Sequence, residues 1–533
     1  MKVYGIDLGT TYSAIAHIDE LGTPQVIQNF EGDQTTPSVV LFDDASNFVV
    51  GREAKNEIEL RPDETVQLIK RQMGDNYDVK IHDVVHSPES ISALILSYLV
   101  ETAEDFTGEK ADGVVITVPA YFGVEARTAT KQAGEIAGLN VLDIITEPVA
   151  AALSSGTRHG DNQTLLVYDL GGGTFDTTIM EMNEDGIEVL AVDGDRQLGG
   201  ADWDEELYNL AVMNFVVTSG LEEDPTYDED FVQNLKSGVE QAKIALTRRK
   251  SAKILCNYQN RVKANVEITR EDFESATQYL VDQTLRVVER AIESAKKKRP
   301  DLQIDRYLLV GGSSRMPMVS QALESRFGWE LTPTEFDLAV AKGAAIYAQG
   351  LVDAAGGDIN VNPNDTSVQT GGSMITVATP TGARSMEIKN VLPKAVGVKF
   401  WDPERQLPYI MHVLEAGAEL PAKATAKGVA SNDNTTRIRF DIYEQAGEVV
   451  SQDMDANKLI SGEGGAVLQN LPNLPKGSPV YMTMKVTNDG IVSLEGSEPT
   501  TGQSVELTAQ ISALSDERVD QYKNMVTGMI RSE

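Results

Sequence analysis

The sequence predicts an α/β domain of two similar lobes around a cleft, followed by an all-β sandwich and a short terminal helix. Three observations carry that prediction. Two glycine turns, each led by an aspartate, stand 162 residues apart, at Asp7-Leu8-Gly9-Thr10-Thr11 and Asp169-Leu170-Gly171-Gly172-Gly173-Thr174-Phe175-Asp176. Strand, turn and helix signals alternate from residue 1 to about 350. Beyond Asp353 helical spacing gives way to a polar stretch and then to period-two alternation.

Taken in order, residues 1–8 and 12–18 are apolar runs on either side of the first glycine turn and read as a hairpin. Helical spacing over about 90–106 precedes a continuous apolar run at 113–118 that stops at Pro119. Residues 124–137 form the next helix, ended by Gly138. A strand at 141–145 runs into Thr146-Glu147-Pro148 and a helix at 149–154, with proline near its first turn. The strand at 165–169 enters the second glycine turn. Residues 203–300 are mostly helical, interrupted by strands near 252–269, where Cys256 lies on an alternating apolar face as a packed strand residue. A strand at 306–310 leads into Gly311-Gly312-Ser313-Ser314-Arg315 and a helix at 318–327, whose N-terminal N–H groups can face an anion.

Residues 353–385 are rich in Gly, Asn, Asp, Thr and Ser and read as a linker. After it, Ile438, Phe440 and Ile442 alternate with charged residues, as in a half-buried strand. Residues 480–487 and 491–494 flank Asn488-Asp489-Gly490, a strong hairpin turn. The sandwich is expected over 386–513 and the terminal helix over 514–533, with Ser515 as its N-cap.

Charge and composition exclude several classes. A net charge of −35 argues against nucleic acid or an anionic membrane as partner, because both select a basic face. The basic run at 296–299 reads as the solvated last turn of a helix. A single cysteine excludes an internal disulfide and a cysteine-built zinc site. No run approaches the roughly eighteen apolar residues of a membrane span. With no leader-like stretch before the first strand, the expected location is the cytoplasm.

The glycine turns suggest the chemistry. Glycine lets main-chain N–H groups crowd one point, and a concave row of such donors binds phosphate oxygens. The leading aspartates add oxygen ligands for the Mg²⁺ that accompanies a nucleotide. Neither turn carries the Gly-Lys-Ser/Thr of a helix-opening phosphate loop. Two such turns in matching positions imply a nucleotide clamped between two halves.

Further motifs stand in a distinctive order: IDLGTT at 6–11, Lys70-Arg71, VPAYF at 118–122, TEPVAAAL at 146–153, DLGGGTFD at 169–176, LGGADWD at 198–204, EQAKIALT at 240–247 and VGGSSRMP at 310–317. This series resembles the heat shock protein 70 (DnaK-like) chaperones, strongly over about 1–350 and weakly over about 386–515. The resemblance implies an actin-like (ribonuclease H-like) ATPase domain over 1–352, a substrate-binding β-sandwich, and ATP/ADP with Mg²⁺ and a further K⁺ as cofactors. It implies that Asp7 and Asp169 hold Mg²⁺ through its retained waters. Gly9, Thr10, Thr11, Gly171, Gly172, Gly173 and Thr174 would grip the β- and γ-phosphates, with Gly199 and Gly200 beside them. Lys70 matches a lysine beside the γ-phosphate and attacking water; Glu147 matches a glutamate near that water, and also suits a helix cap. Lys70, Glu147, Asp169 and Thr174 form the implied catalytic group. Glu240 and Lys243 would contact the ribose, although their spacing also suits a surface ion pair. Gly311, Gly312, Ser313 and Arg315 would cradle the adenosine and α-phosphate, with Asp337 near the ribose.

The implied partners are unfolded or extended polypeptides, a J-domain co-chaperone and a nucleotide-exchange factor. Three positions depart from the family pattern. Ile244 replaces an arginine that faces adenine in many members. A polar stretch replaces the short leucine-rich linker, and its nearest counterpart, 386–392, has the alternation to dock as a strand. One helix stands for a long helical lid. These departures open a second reading, an ATP-switched protein with one dedicated native partner. A small-molecule kinase on the same fold would need an acceptor pocket that nothing in the sequence marks.

Overall fold

The computed structural model describes residues 1–532 apart from 59, 157–161, 330, 332–337, 357–372, 380–381, 403, 448–449, 462–465, 489, 491, 500–502 and 508–513. Lobe I is built on a sheet in the order Val141–Thr146, Gly113–Val118, Val3–Asp7, Tyr12–Ile18, Pro24–Val26. Its central strand Val3–Asp7 runs parallel to Gly113–Val118 and antiparallel to Tyr12–Ile18, with Asp7 opposite Ala14. Lobe II repeats the plan. Gln163–Leu170 runs parallel to Arg306–Val310 and antiparallel to Phe175–Met182, which pairs in turn with Gly186–Asp195. Each lobe therefore carries an aspartate at or next to the end of a central strand, reverses it through a glycine turn, and flanks it with a parallel strand.

Helices α1 (Arg52–Glu57), α2 (Pro88–Thr107), α3 (Val124–Ile136) and α4 (Glu147–Ser155) come from the first half of the chain. Helices α5 (Gly200–Ser219), α6 (Glu229–Arg248), α7 (Arg270–Lys298), α8 (Pro317–Phe327) and α9 (Ala339–Ala354) follow them. Serine caps α2 in a reciprocal box, Ser87 with Ser90, and Thr269 does the same for α7 with Asp272. The lobes share the core formed by α4 and α9, where Val149, Leu153, Val340 and Tyr347 pack with Val3, Val115, Leu165 and Val167 from both sheets. Close approach depends on missing side chains. A Cβ on Gly343 would stand 1.7 Å from the Ala150 carbonyl oxygen, and one on Gly5 would stand 2.0 Å from the Ala345 nitrogen.

Residues 396–507 build two antiparallel sheets around one core. One sheet has the order Leu407–Leu414, Val396–Asp402, Ile442–Gln445, Asn457–Leu459; the other runs Ala422–Val429, Pro479–Val486, Val492–Glu498, Gln503–Leu507. Along Pro479–Val486 every second residue is buried, as period-two spacing requires, and Met482 and Met484 meet Val396, Val398 and Ile442 of the opposite sheet. The amide of Gly490, which has φ +89°, donates to the Thr487 carbonyl, so the expected hairpin turn forms here. Cys256 is buried in strand Ser251–Tyr258, and burial pushes its thiol up to about 11.

Two expectations are corrected. The polar stretch 353–385 is not a uniform linker: Ser373–Thr379 and Gly382–Lys389 form a hairpin. Gly382–Lys389 also docks in parallel on Gly186–Asp195, extending the lobe II sheet. A few apolar residues at alternate positions suffice for this, since Ile375, Met386 and Ile388 are buried in the shared core. The segment 386–392 thus docks as a strand through Lys389. The second correction concerns α10 (Asp516–Gly528), expected as the remainder of a lid. It packs on α2 and α3 of lobe I, where Leu514, Tyr522 and Val526 enter the core, because its apolar residues fall on one helical face. Ser515 caps the helix as expected, and within the segment to 533 Ile530–Arg531 forms a strand.

One buried group predicts a pH effect. His86 is 1 % exposed in the lobe I core, with its ring centroid 4.4 Å from that of Phe42. Burial alone pushes its pKa from 6.5 down to about 4. The unfolded chain therefore binds this proton first on acidification. The neutral imidazole's contribution is complete above pH 6.5 and is lost as pH falls towards about 4. His86→Phe should flatten this part of the acid limb of thermal stability by up to about 3 kcal/mol. A variant with the wild-type slope between those pH values would refute the assignment.

Candidate active site

The two glycine turns face each other. A Cβ on Gly172 would stand 2.3 Å from the Thr11 side chain, and one on Gly173 would stand 2.3 Å from Thr10 Cγ2. Around them lies a cavity of about 600 Å³. Asp7, Gly9, Thr10, Thr11, Lys70, Glu147, Asp169, Gly171, Gly172, Thr174, Glu240, Lys243, Gly311, Gly312, Ser313 and Arg315 all line it, as does Ile244. Gly173, Gly199 and Gly200 stand immediately behind the lining: the position of a Gly199 Cβ is 2.5 Å from Gly173, and Gly200 accepts a bond of 2.8 Å from Lys243 Nζ. Asp337 lies outside the described residues.

Main-chain bonds hold each turn. The Gly9 amide donates to Ser13 Oγ at 3.1 Å, and Ser38 Oγ donates to the Gly9 carbonyl at 2.8 Å. In lobe II the Gly171 amide donates to Thr174, and the amides of Gly200 and Ala201 donate to Gly171 and Gly172. Gly311 has φ +80°, and a Cβ there would meet the Leu170 carbonyl oxygen at 2.4 Å and Asp169 Oδ1 at 2.7 Å. Glycine is thus required where the third loop passes behind the second aspartate.

Lys70 sits in the 3₁₀ turn Ile69–Gln72 and is 4 % exposed. Its ammonium donates to Glu147 Oε1 at 2.5 Å, at the first residue of α4. Several carboxyl groups gather beside this pair. Asp169 is raised well above the usual carboxylate range by burial and then by Glu147, Asp176 and Asp7, against the opposing charge of Lys70. Asp176 is pushed up to about 8, first by burial and then by Glu147. One oxygen of Asp176 accepts from the Ala120 amide at 3.0 Å, and the other is buried with no protein partner. Such an excess of buried oxygen donors suits a hard cation. Among the described residues no three acidic, histidine or cysteine side chains converge to hold a metal alone. That donor set fits Mg²⁺ held largely through waters and phosphate oxygens, and Asp7 and Asp169 line the cavity that would receive it.

The spacing alternative for Glu240 and Lys243 does not hold. Glu240 accepts from Lys55 Nζ of lobe I at 2.8 Å, across the cleft, while Lys243 pairs with Asp204 at 2.5 Å. Sequence reasoning missed Lys55, Asp204 and Asp176, and also Arg71, whose guanidinium reaches Gly173 O at 2.7 Å and Asp202 at 2.9 Å. Asp176 was within reach of inference, because a hairpin centred on the glycines pairs it directly with Asp169. The others depend on the approach of the lobes, which leaves no local signal.

Fold and cleft together define a two-lobed phosphate-clamping domain joined to an antiparallel β-sandwich. A family profile described as "Hsp70 protein" matches residues 3–361. "Chaperone protein DnaK" of Halobacterium salinarum is 35 % identical over 534 residues, covering 98 % of this chain and 77 % of the relative. The protein of the same name from Thermosipho melanesiensis is 35 % identical over 536 residues, covering 97 % of this chain and 82 % of the relative. The chain belongs to the heat shock protein 70 family. It is an ATP-dependent chaperone and an ATPase, and the alternative of a dedicated-partner switch is not favoured. Family membership implies an actin-like ATPase domain joined to a β-sandwich, consistent with the mixed α/β lobes seen here. No described helix is long and apolar enough to cross a membrane.

Proposed function

We propose that ATP is hydrolysed between the two glycine turns and that this reaction controls the binding of extended apolar polypeptide by the sandwich. The buried Lys70–Glu147 pair beside Asp7 and Asp169 is the observation that carries the reading. Amides and hydroxyls of Gly9–Thr11 and Gly171–Thr174 bind the β- and γ-phosphates, including the Thr174 hydroxyl. Lys70 offsets charge on the transferring phosphoryl group, and Glu147 orients the attacking water. Mg²⁺, when bound, would supply charge neutralisation on the phosphates, with Asp7 and Asp169 holding its waters; a K⁺ is the further proposed cofactor. Glu240 and Lys243 take the ribose, and Gly311–Ser313 with Arg315 take the adenosine, where Ile244 offers an apolar contact to the base. Asp337 belongs to the same ribose end by family likeness.

The polypeptide would lie extended against the sandwich, held by main-chain bonds. A J-domain co-chaperone and a nucleotide-exchange factor are the proposed regulators, and the cytoplasm the proposed location. The test is single-turnover ATP hydrolysis with and without an unfolded apolar peptide, together with peptide release on ATP addition. Peptide should accelerate hydrolysis, and ATP should accelerate peptide release. If saturating peptide leaves turnover unchanged and ATP leaves peptide release unchanged, the coupling is wrong.

A further inference from the structure

One face of α6 reaches past the ribose end of the cleft. Glu240, Lys243, Ile244, Thr247 and Arg248 all line the cavity from this helix, and spacings of three and four residues put them on one side of it. The carboxylates along this face are already engaged. Lys55 Nζ lies 2.8 Å from both oxygens of Glu240, and Lys243 holds Asp204 at 2.5 Å. Ile244 is apolar yet 53 % exposed, and so offers a platform for a flat ring.

Arg248 stands one turn beyond that platform. It opens a run of three cations with Arg249 and Lys250, a run that the C-terminal dipole of α6 suits. Of the three, Arg248 alone lines the cavity. Helical side chains lean towards the N-terminus, which directs Arg248 back over the Ile244 turn. Among the described residues it makes no hydrogen bond or ion pair, although the chain carries a net charge of −35. A guanidinium is a planar fork of donors with no acceptor. Guanine presents two acceptors, O6 and N7, spaced for both arms of that fork, whereas adenine presents an amino group beside N7. The neighbouring Thr247 hydroxyl, which donates to the Lys243 carbonyl at 3.3 Å, keeps lone pairs for such an amino group. We propose that Arg248 reads the edge of the base and that the cleft takes 6-oxopurine nucleoside triphosphates as well as ATP. The Arg248 fork serves O6 and N7, and Thr247 serves the adenine amino group. The proposal rests on the nucleotide reading of the cleft.

The test uses the full chain with Mg²⁺ and measures displacement of radiolabelled ADP by ATP, GTP and ITP. ITP keeps O6 and N7 but lacks the 2-amino group, so it isolates the proposed contact. In the wild type GTP and ITP should compete within about tenfold of ATP. Arg248→Ala should weaken GTP and ITP about tenfold more than ATP. Arg248→Lys keeps the charge without the fork and should show most of the same selective loss. Arg248 is exposed, and displacement by ATP in each variant reports an intact cleft. GTP and ITP that fail to compete at about a hundredfold the effective ATP concentration overturn the proposal. Equal losses for all three nucleotides in Arg248→Ala also overturn it, because they mark a charge that only attracts phosphate. A selective loss of GTP with ITP unaffected overturns it as well, since the contact would then lie at the 2-amino group. Wild-type protein that binds neither ADP nor ATP would instead overturn the nucleotide reading itself.

Discussion

Lys70→Ala should slow single-turnover ATP hydrolysis by about 10²–10³-fold, equivalent to about 3–4 kcal/mol of transition-state stabilisation. The reason is placement. The ammonium is buried, is fixed by Glu147, and lines the same cavity as Asp7 and Asp169. A charge held in a low-dielectric site acts on the developing phosphoryl charge without reorganising at the moment of reaction. Nucleotide affinity should change far less, because the glycine turns and the Glu240–Arg315 side of the cleft remain. The measurement is hydrolysis of preformed enzyme–ATP complex alongside equilibrium ADP binding. A rate within tenfold of wild type would remove Lys70 from the reaction, whereas a parallel loss of ADP affinity would mark it as a binding residue only.

The second large effect is expected where the sandwich meets lobe I. Lys458 donates to Gly74 O at 2.6 Å and Asp75 at 2.8 Å, and stands 2.8 Å from Glu125. Beside it Glu444, 5 % exposed, accepts the Val124 amide at 2.8 Å at the start of α3. Arg196 connects this contact to the cleft, since it donates to Arg71 O, Met73 O and Asp75 while its guanidinium faces the Phe122 ring. Removing Lys458 leaves Glu125 without its cation and Asp75 with Arg196 alone. Lys458 is partly exposed, so the penalty falls below that of a fully buried pair, at about 2 kcal/mol. Lys458→Met should therefore shift the docked–undocked equilibrium about 30-fold towards separation. Fluorescence transfer between labels on the sandwich and lobe I reports this directly, and peptide stimulation of hydrolysis should weaken with it. Unchanged transfer would show that this ion-pair group does not hold the domains together.

Much of the cleft was readable because its parts are local. An aspartate, a short glycine turn and a β-branched strand specify a hairpin within ten residues, and the turn decides where its amides point. Helical spacing likewise marked α2 and α3, and α3 stops before a left-handed Gly138 as read. Weak local signals misled at two places. In 353–385 sparse apolar residues among polar ones read as linker, yet Ile375 is buried in the shared core and Ser373–Thr379 pairs with the strand that docks on lobe II. The face of α10 signals only that it packs somewhere, and lobe I takes it.

By itself the sequence determined the two glycine turns, most of the strand and helix order around them, and the residue types available to the cleft. These follow from torsional preference and from periodicities of two and 3.6 residues, which act over a few positions. Only the tertiary structure decided the partners of the charges. Glu240 meets Lys55 across 185 residues of chain, Lys458 meets Asp75 across 383, and Arg531 meets Glu101 across 430. A lysine or glutamate on a helix face has the same local signature whether it faces water or another lobe. Which one it faces is set by how whole surfaces pack, and that packing placed the nucleotide cleft, the sandwich and the terminal strand in contact.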